Sequence, residues 1–291
     1  MVEISASMVK ELREKTGAGM MDCKKALVET LGDLEKAFEH LRQKGIASAS
    51  KKADRPAAEG LVVTATNKDH TLGLILEVNC ETDFVARNEQ FKELTDKLCT
   101  CILEHQPKDV QALLELNFDG QKVSDLVSSY IAKTGENIVV KRFHVMKTPG
   151  NTSIVGTYVH SLGGKMGALV TLEADKAING LEHMVNLGRE VAMHVVSSKP
   201  QFLSKEHVPA DEIENERRIE SNKADLADKK PEIKQKIIDG RVDKIMAEKC
   251  LMEQPFVKDP GLSVGKYLGE QGKAHGAKLN VSNYVFYVLG Q

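Results

Sequence analysis

Apolar positions follow a helical period over the first 45 or so residues and an alternating period after residue 60, so the chain begins as helices and then turns to sheet. Met8, Val9 and Leu12 share one face of a first helix that Ser5 or Ser7 can cap, and Gly17-Ala18-Gly19 breaks it. Cys23, Ala26 and Leu27 lie on one side of a second. Gly32-Asp33 punctuates and caps a third, where Leu34, Ala37, Phe38 and Leu41 form a buried stripe and Gly45 supplies the stop. A compact three-helix bundle is expected, tethered by the polar stretch 51–58.

Residues 61–66 and 72–79 read as paired strands, and in the second Leu72, Leu74, Leu76 and Val78 alternate with Gly73, Ile75, Glu77 and Asn79. A turn at residues 82–85 leads into a helix carrying Phe91, Leu94, Leu98 and Ile102, and residues 109–133 add more helix. The pattern then recurs. Gly73-Leu74-Ile75-Leu76-Glu77 opens a strand whose helix closes at Pro107, and Gly167-Ala168-Leu169-Val170-Thr171 opens another whose helix closes at Pro200. Each strand has a hairpin partner before it. Two small antiparallel sheets backed by helices are expected, an α+β fold with a duplicated core.

Residues 211–249 break the pattern: 21 of the 39 are charged, and Ile233, Ile237, Ile238, Val242, Ile245 and Met246 form a narrow helical stripe. Lys229-Lys230-Pro231 divides the segment into two arms of similar length, an antiparallel helical hairpin. A Gly-rich stretch and a last strand over 281–288 follow. The expected units are therefore 1–55 for the bundle and linker, 56–140 and 141–210 for the two core halves, 211–250 for the hairpin, and 251–291 for a return to the second half.

Composition narrows the function. A formal charge of −2, from 40 basic and 42 acidic side chains, lacks the basic excess of a protein that grips phosphate backbones, so direct nucleic-acid binding is not expected. Five cysteines in 291 residues suggest no disulfide framework and a reducing compartment. The opening Met1-Val2-Glu3-Ile4-Ser5 resembles no leader and no apolar run reaches membrane-spanning length, so a bacterial cytoplasmic location without membrane association is expected.

Catalytic signatures fail on inspection. Gly164-Lys165 and Gly272-Lys273 have Val159 and Tyr267 where a phosphate-binding loop needs its first glycine, and Met166 and Ala274 where it needs Ser or Thr. Cys99 and Cys101 diverge on a helix, and the nine histidines show no ligand spacing, so neither metal nor cofactor is expected. An interaction protein is the better reading than an enzyme.

Two long irregular stretches sharpen it. Residues 9–27, Val9-Lys10-Glu11-Leu12-Arg13 through Met20-Met21-Asp22-Cys23-Lys24-Lys25-Ala26-Leu27, and 77–86, Glu77-Val78-Asn79-Cys80-Glu81-Thr82-Asp83-Phe84-Val85-Ala86, closely resemble the elongation factor Ts family. Weaker similarity lies at Gly135-Glu136-Asn137-Ile138, at Met193-His194-Val195 through Lys199-Pro200, and at Gln254-Pro255-Phe256-Val257. The resemblance implies a ubiquitin-associated-like bundle, a duplicated core and a coiled-coil hairpin. It also implies a guanine-nucleotide exchange factor that displaces magnesium and GDP from elongation factor Tu. Longer members continue past the last strand into a helical module, whereas this chain stops at Gln291.

By resemblance Thr82, Asp83, Phe84 and Val85 dislocate the magnesium, with Phe84 as the wedge and Asp83 facing phosphate-side groups. On pattern alone Phe84 reads rather as a core residue and Thr82 or Asp83 as an N-cap, and it is the resemblance that reverses this. Lys10, Arg13, Met20 and Met21 suit a docking surface, although the methionines read also as half-buried packing. Ile138 and His160 carry over as further partner contacts, the histidine alternatively as a satisfied strand residue. The corner after Leu172, Glu173-Ala174-Asp175-Lys176-Ala177-Ile178, has no aromatic, so the fold itself does not demand Phe84. A ubiquitin-associated-type adaptor, an organellar version of the factor and an unrecognised small-molecule enzyme are the competing readings. For the hairpin, homodimerisation stands beside a solvated spike.

Overall fold

Ser5 caps α1 (Ala6–Thr16) by accepting the Met8 amide, and Gly17 ends it in the left-handed region at φ 66°. α2 (Met20–Glu29) and α3 (Leu34–Ser50) follow, the latter capped by the Asp33 carboxylate, which accepts from the Glu35 and Lys36 amides. Leu12, Cys23, Ala26, Leu27 and Ala37 close a core among the three helices. These features belong to a computed structural model that describes residues 4–161, 163–177, 180–226 and 230–291. Met1, Val2, Glu3, Ile178 and Lys229, used in the sequence reading, lie outside the described residues.

Two expectations for the bundle are corrected. Phe38 is not part of the buried stripe but 40% exposed. Gly45 is not a stop, because α3 runs on to Ser50. It is buried where α3 crosses the later helix Val123–Thr134, with Ala132 Cβ and Ser128 O each 3.8 Å from where its own Cβ would stand. The residue lies inside the helix and packs against its neighbour at ordinary contact distance. The bundle is thus docked on the core as well as tethered to it, and across the same contact Arg42 donates to Asp125 at 2.6 Å.

β1 (Glu59–Thr66) and β2 (Leu72–Cys80) form an antiparallel hairpin. The chain then passes through α4 (Asp83–Arg87), α5 (Glu89–His105), α6 (Val110–Glu115), the small hairpin β3 (Asn117–Phe118) and β4 (Gln121–Lys122), and α7 (Val123–Thr134). β5 (Ile138–Lys147) returns on the free side of β2, giving the order β1-β2-β5. The second half repeats this plan. β6 (Ser153–Val159) and β7 (Met166–Ala174) form a hairpin and α8 (Leu181–Ser198) follows. After α9 (Ala210–Ser221), α10 (Pro231–Lys249), the short strands β8 (Pro255–Phe256) and β9 (Asp259–Ser263), and α11 (Val264–Ala274), the last strand β10 (Leu279–Val288) completes the order β6-β7-β10. Even the irregularities match. The register shifts opposite Glu77/Val78 in β2 and opposite Thr171/Leu172 in β7, which correspond when Gly73 is matched to Gly167.

The two sheets stack face to face through Val62, Ile75, Met146, Val155 and Leu169. α5 and α7 cover the outer face of the first sheet, α8 and α11 that of the second. All nine residues of β2 are therefore buried, so its alternation separates two dry faces rather than a dry one from a wet one. The α+β class stands.

α9 and α10 run antiparallel: Lys249 pairs with Glu212 at 2.6 Å and Glu216 at 3.0 Å, and Arg217 with Asp239 at 3.0 Å. The arms are not equal, since α9 has 12 residues and α10 has 19. Ile238, Val242 and Met246 are buried, whereas Ile233 lies open to solvent. The Gly-rich stretch is largely helix α11, capped by Ser263, in which Gly272 accommodates the Ala277 carbonyl 2.5 Å from where a Cβ would be. Among the described residues no helix is long and apolar enough to cross a membrane.

Candidate functional site

The end of β2 and the start of α4 make a corner held from three sides. Thr82 caps α4, its hydroxyl oxygen accepting the Val85 amide at 3.4 Å. Ala86 is buried, and Val85 packs against the core of the first half. The backbone behind the cap is fixed from a distant segment. Glu136, between α7 and β5, accepts the Glu81 amide at 3.1 Å, the Thr82 amide at 3.0 Å and the Thr82 hydroxyl at 2.6 Å. Glu81 reciprocates by accepting the Asn137 amide at 2.7 Å. The Cys80 thiol donates to the Thr82 carbonyl at 3.2 Å. It stays protonated for that purpose, because burial, reinforced by the Glu136 carboxylate, pushes it up to about 12.

On this stiff corner Phe84 is 81% exposed. The reading of Phe84 as a core residue is thereby excluded, while the reading of Thr82 as an N-cap holds. Leaving a phenylalanine in water forgoes roughly 1.5–3 kcal/mol of burial. Its immediate successors Val85 and Ala86 pack inward, so the exposure follows from the direction in which the corner aims it. Asp83 is engaged by Arg87 at 2.9 Å, a solvated pair worth little to stability.

Met20 and Met21, at the start of α2, are 60% and 65% exposed, which removes the packing alternative for them. Lys10 and Arg13 are also on the surface of α1. The link from bundle to corner is firm. Asn137 Nδ2 donates to the carbonyls of Ala53 at 3.3 Å and Arg55 at 2.9 Å, and Arg55 reaches Glu81 at 3.5 Å. The stretch that joins bundle to β1 is thus fastened beside the residues that set Phe84.

Ile138 requires a correction. It is 3% exposed and packs in the first core, so it offers no surface, its β5 position facing the covering helices. Within Gly135-Glu136-Asn137-Ile138 it is Glu136 and Asn137, which the sequence reading passed over, that bond to the corner. The signal available was a carboxylate and an amide next to a left-handed glycine, Gly135 at φ 78°, at the mouth of a strand. His160 directly follows β6, half-buried, with Nδ1 3.4 Å from the Tyr158 hydroxyl. Lys165 of the same hairpin reaches Glu59 at 2.8 Å, and Glu59 is the register partner of Cys80, so that hairpin and the corner share one end of the stacked sheets.

Among the described residues the second half shows no equivalent of this corner. After β7 the Asp175 carboxylate accepts the Lys278 amide at 2.8 Å, tying the turn to β10, and α8 begins only at Leu181.

The chain is similar to known proteins along its whole length. A family model described as "Elongation factor TS" matches residues 81–291. A protein of Syntrophotalea carbinolica named "Elongation factor Ts" is 44% identical over 292 residues, spanning 100% of this chain and 94% of its own length. Namesakes from Alkalilimnicola ehrlichii and a Nostoc species are 43% and 42% identical, over 99% and 100% of this chain and 92% and 94% of theirs.

Proposed function

This chain belongs to the elongation factor Ts family and is a guanine-nucleotide exchange factor of translation elongation, and we propose that it acts on elongation factor Tu by presenting Phe84 as a wedge. Its task makes and breaks no covalent bond. The observation that carries the reading is an exposed phenylalanine on a corner whose backbone is fixed from several sides.

A GTPase holds GDP through a backbone phosphate cradle and a magnesium ion that bridges phosphate and side chains. An exchange factor must favour the empty state, and by linkage GDP weakens the factor as much as the factor weakens GDP. Shifting a population from 1:99 to 99:1 takes about 5.5 kcal/mol. One buried phenylalanine supplies roughly 1.5–3 kcal/mol, so the rest of its corner adds to that preference and a second contact holds the corner in place. Phe84, with Thr82, Asp83 and Val85 shaping its corner, intrudes beside the magnesium. The bundle, read as ubiquitin-associated-like, supplies the second contact through Lys10, Arg13, Met20 and Met21, with His160 on the core. The hairpin of α9 and α10, read as a coiled coil, is the candidate for self-association.

Release of a fluorescent GDP analogue, followed by stopped flow, tests the wedge. Phe84→Ala slows catalysed release about tenfold or more, since truncating an interface aromatic often costs about 2 kcal/mol. An unchanged rate sinks it. A ubiquitin-associated-type adaptor role is not favoured, because it leaves this corner without a purpose.

A further inference from the structure

We infer that Glu136 is the positioning residue of the exchange corner: its carboxylate sets the direction in which Phe84 points without touching the partner itself. The inference rests on the wedge reading above and adds to it the device that makes the wedge stiff.

Both carboxylate oxygens of Glu136 are used, Oε2 by the amides of Glu81 and Thr82 at 3.1 and 3.0 Å and Oε1 by the Thr82 hydroxyl at 2.6 Å. Hydrogen bonds to an ionised acceptor are about twice as strong as neutral ones. Three of them converge on two consecutive residues, and the second of those residues is the cap from which α4 starts. Thr82 Oγ1 thereby donates to Glu136 while accepting the Val85 amide at 3.4 Å, so a chain of contacts runs from Glu136 to the residue after Phe84. Asn137 fixes Glu136 in turn, by donating its backbone amide to Glu81 at 2.7 Å and its side-chain amide to the 53–55 linker. A wedge converts binding into force on a metal site only if it does not fold back, and a side chain displaced by about 1 Å can cost on the order of a hundredfold in a step that depends on geometry.

The fold does not depend on this latch. Glu81, Thr82 and Glu136 are all half-buried, so water replaces the lost acceptor when the carboxylate is removed. The side-chain amide of glutamine has the shape to keep the network, its oxygen accepting the two backbone amides and its nitrogen donating to Thr82 Oγ1. Leucine keeps the volume and none of the bonds.

The test is stopped-flow GDP release at varied factor concentration for Glu136→Leu, Glu136→Gln, Phe84→Ala and the double variant Phe84→Ala/Glu136→Leu. Glu136→Leu is expected to lower the maximal rate about tenfold, the factor that corresponds to about 1.4 kcal/mol. The factor concentration for half-maximal rate stays within about twofold, as does the far-ultraviolet spectrum. Glu136→Gln recovers most of the rate. In the Phe84→Ala background Glu136→Leu adds nothing, because a residue that acts through another is not additive with it. The inference is overturned if Glu136→Leu is as fast as the parent, if it slows Phe84→Ala by the same further factor, or if Glu136→Gln is as slow as Glu136→Leu. If Phe84→Ala itself has no effect, the wedge reading falls first.

Discussion

Glu77, wholly buried in the middle of β2, accepts from Arg142 Nε at 2.7 Å and from the Gly290 amide at 2.9 Å, so one carboxylate ties the first sheet to the end of the chain. Arg142 extends the tie by donating to the Val288 carbonyl at 3.1 Å and lying 4.0 Å over the Tyr287 ring. The two partners are not equivalent. Arg142 is about a third exposed and Glu77 not at all, so removing the arginine strands a buried charge while removing the glutamate leaves a cation that water can reach. Urea unfolding should show Arg142→Met destabilised by about 3 kcal/mol and Glu77→Gln by about 1 kcal/mol. Equal costs, or the reverse order, would contradict this account of the inter-sheet tie.

His194 governs a pH dependence. Its Nε2 lies 2.9 Å from Gln254 Oε1 and its Nδ1 accepts the Val257 amide at 3.2 Å, which fixes a neutral ring protonated on Nε2. Burial holds its pKa below the ordinary histidine range, against the pull of Gln254. Unfolded, the ring takes its proton near about 6.5. Below that pH the unfolded chain binds more protons than the folded one, so the stabilisation is complete above about 6.5 and declines as pH falls towards the lower folded value. His183, pushed down by burial and by the neighbouring His275, contributes in the same direction. Thermal unfolding midpoints for His194→Asn should be lower than the parent's at pH 7.5, with the gap narrowing by pH 5.5. A gap independent of pH would show that the imidazole does not titrate on unfolding.

Legibility tracked how local each cause was. Caps and breaks such as Ser5, Asp33 and Gly17 could be read because each acts within one turn of its own helix. The repeated hairpins were legible because strand alternation is a local period, and the structure adds the matched register shifts. Gly45 misled because the same residue can end a helix or lie within one, and here α3 continues past it, packed against Ser128 and Ala132, more than eighty residues away. Helix α11 hid behind Gly265, Gly269 and Gly272, poor helix formers that tertiary packing overrides. At the site, Phe84 came from family resemblance, and its exposure could not have come from pattern. Glu136 was invisible for the same reason as Gly45: its partners Glu81 and Thr82 are brought to it only by the β2–β5 pairing.

Two glycines separate packing by sign. A Cβ at Gly45 would sit 3.8 Å from its nearest neighbours, ordinary contact inside a helix, so Gly45→Ala should be neutral or stabilising by up to about 1 kcal/mol from helix propensity. A Cβ at Gly156 would stand 2.3–2.6 Å from the backbone of Gly188, where β6 meets α8. Neither backbone can move without displacing its element, and overpacking of this kind typically costs about 1–3 kcal/mol. Guanidinium unfolding should therefore show a lowered midpoint for Gly156→Ala and an unchanged or raised one for Gly45→Ala, and a comparable loss in both would refute the distances as the deciding factor.

The proposed division of labour between bundle and corner has its own signature in the exchange kinetics. Met20 and Met21 are exposed, flexible and unbranched, suited to fitting a partner's surface in whatever nucleotide state it occupies. Contacts made equally before and during nucleotide release lower the concentration needed without raising the maximal rate, whereas contacts made only as the metal leaves raise the rate itself. On the proposed reading Phe84 belongs to the second kind. Met20→Ala/Met21→Ala should therefore raise the half-saturating factor concentration about tenfold while leaving maximal GDP release within about twofold. Phe84→Ala should do the converse. Because the linker between the two sites is fastened at Asn137, the effects should add when the variants are combined, each site being rigidly placed and independently used. Were the methionine variant to lose maximal rate and keep its half-saturating concentration, the bundle would be acting on the nucleotide site itself and docking would have to be sought elsewhere on the molecule.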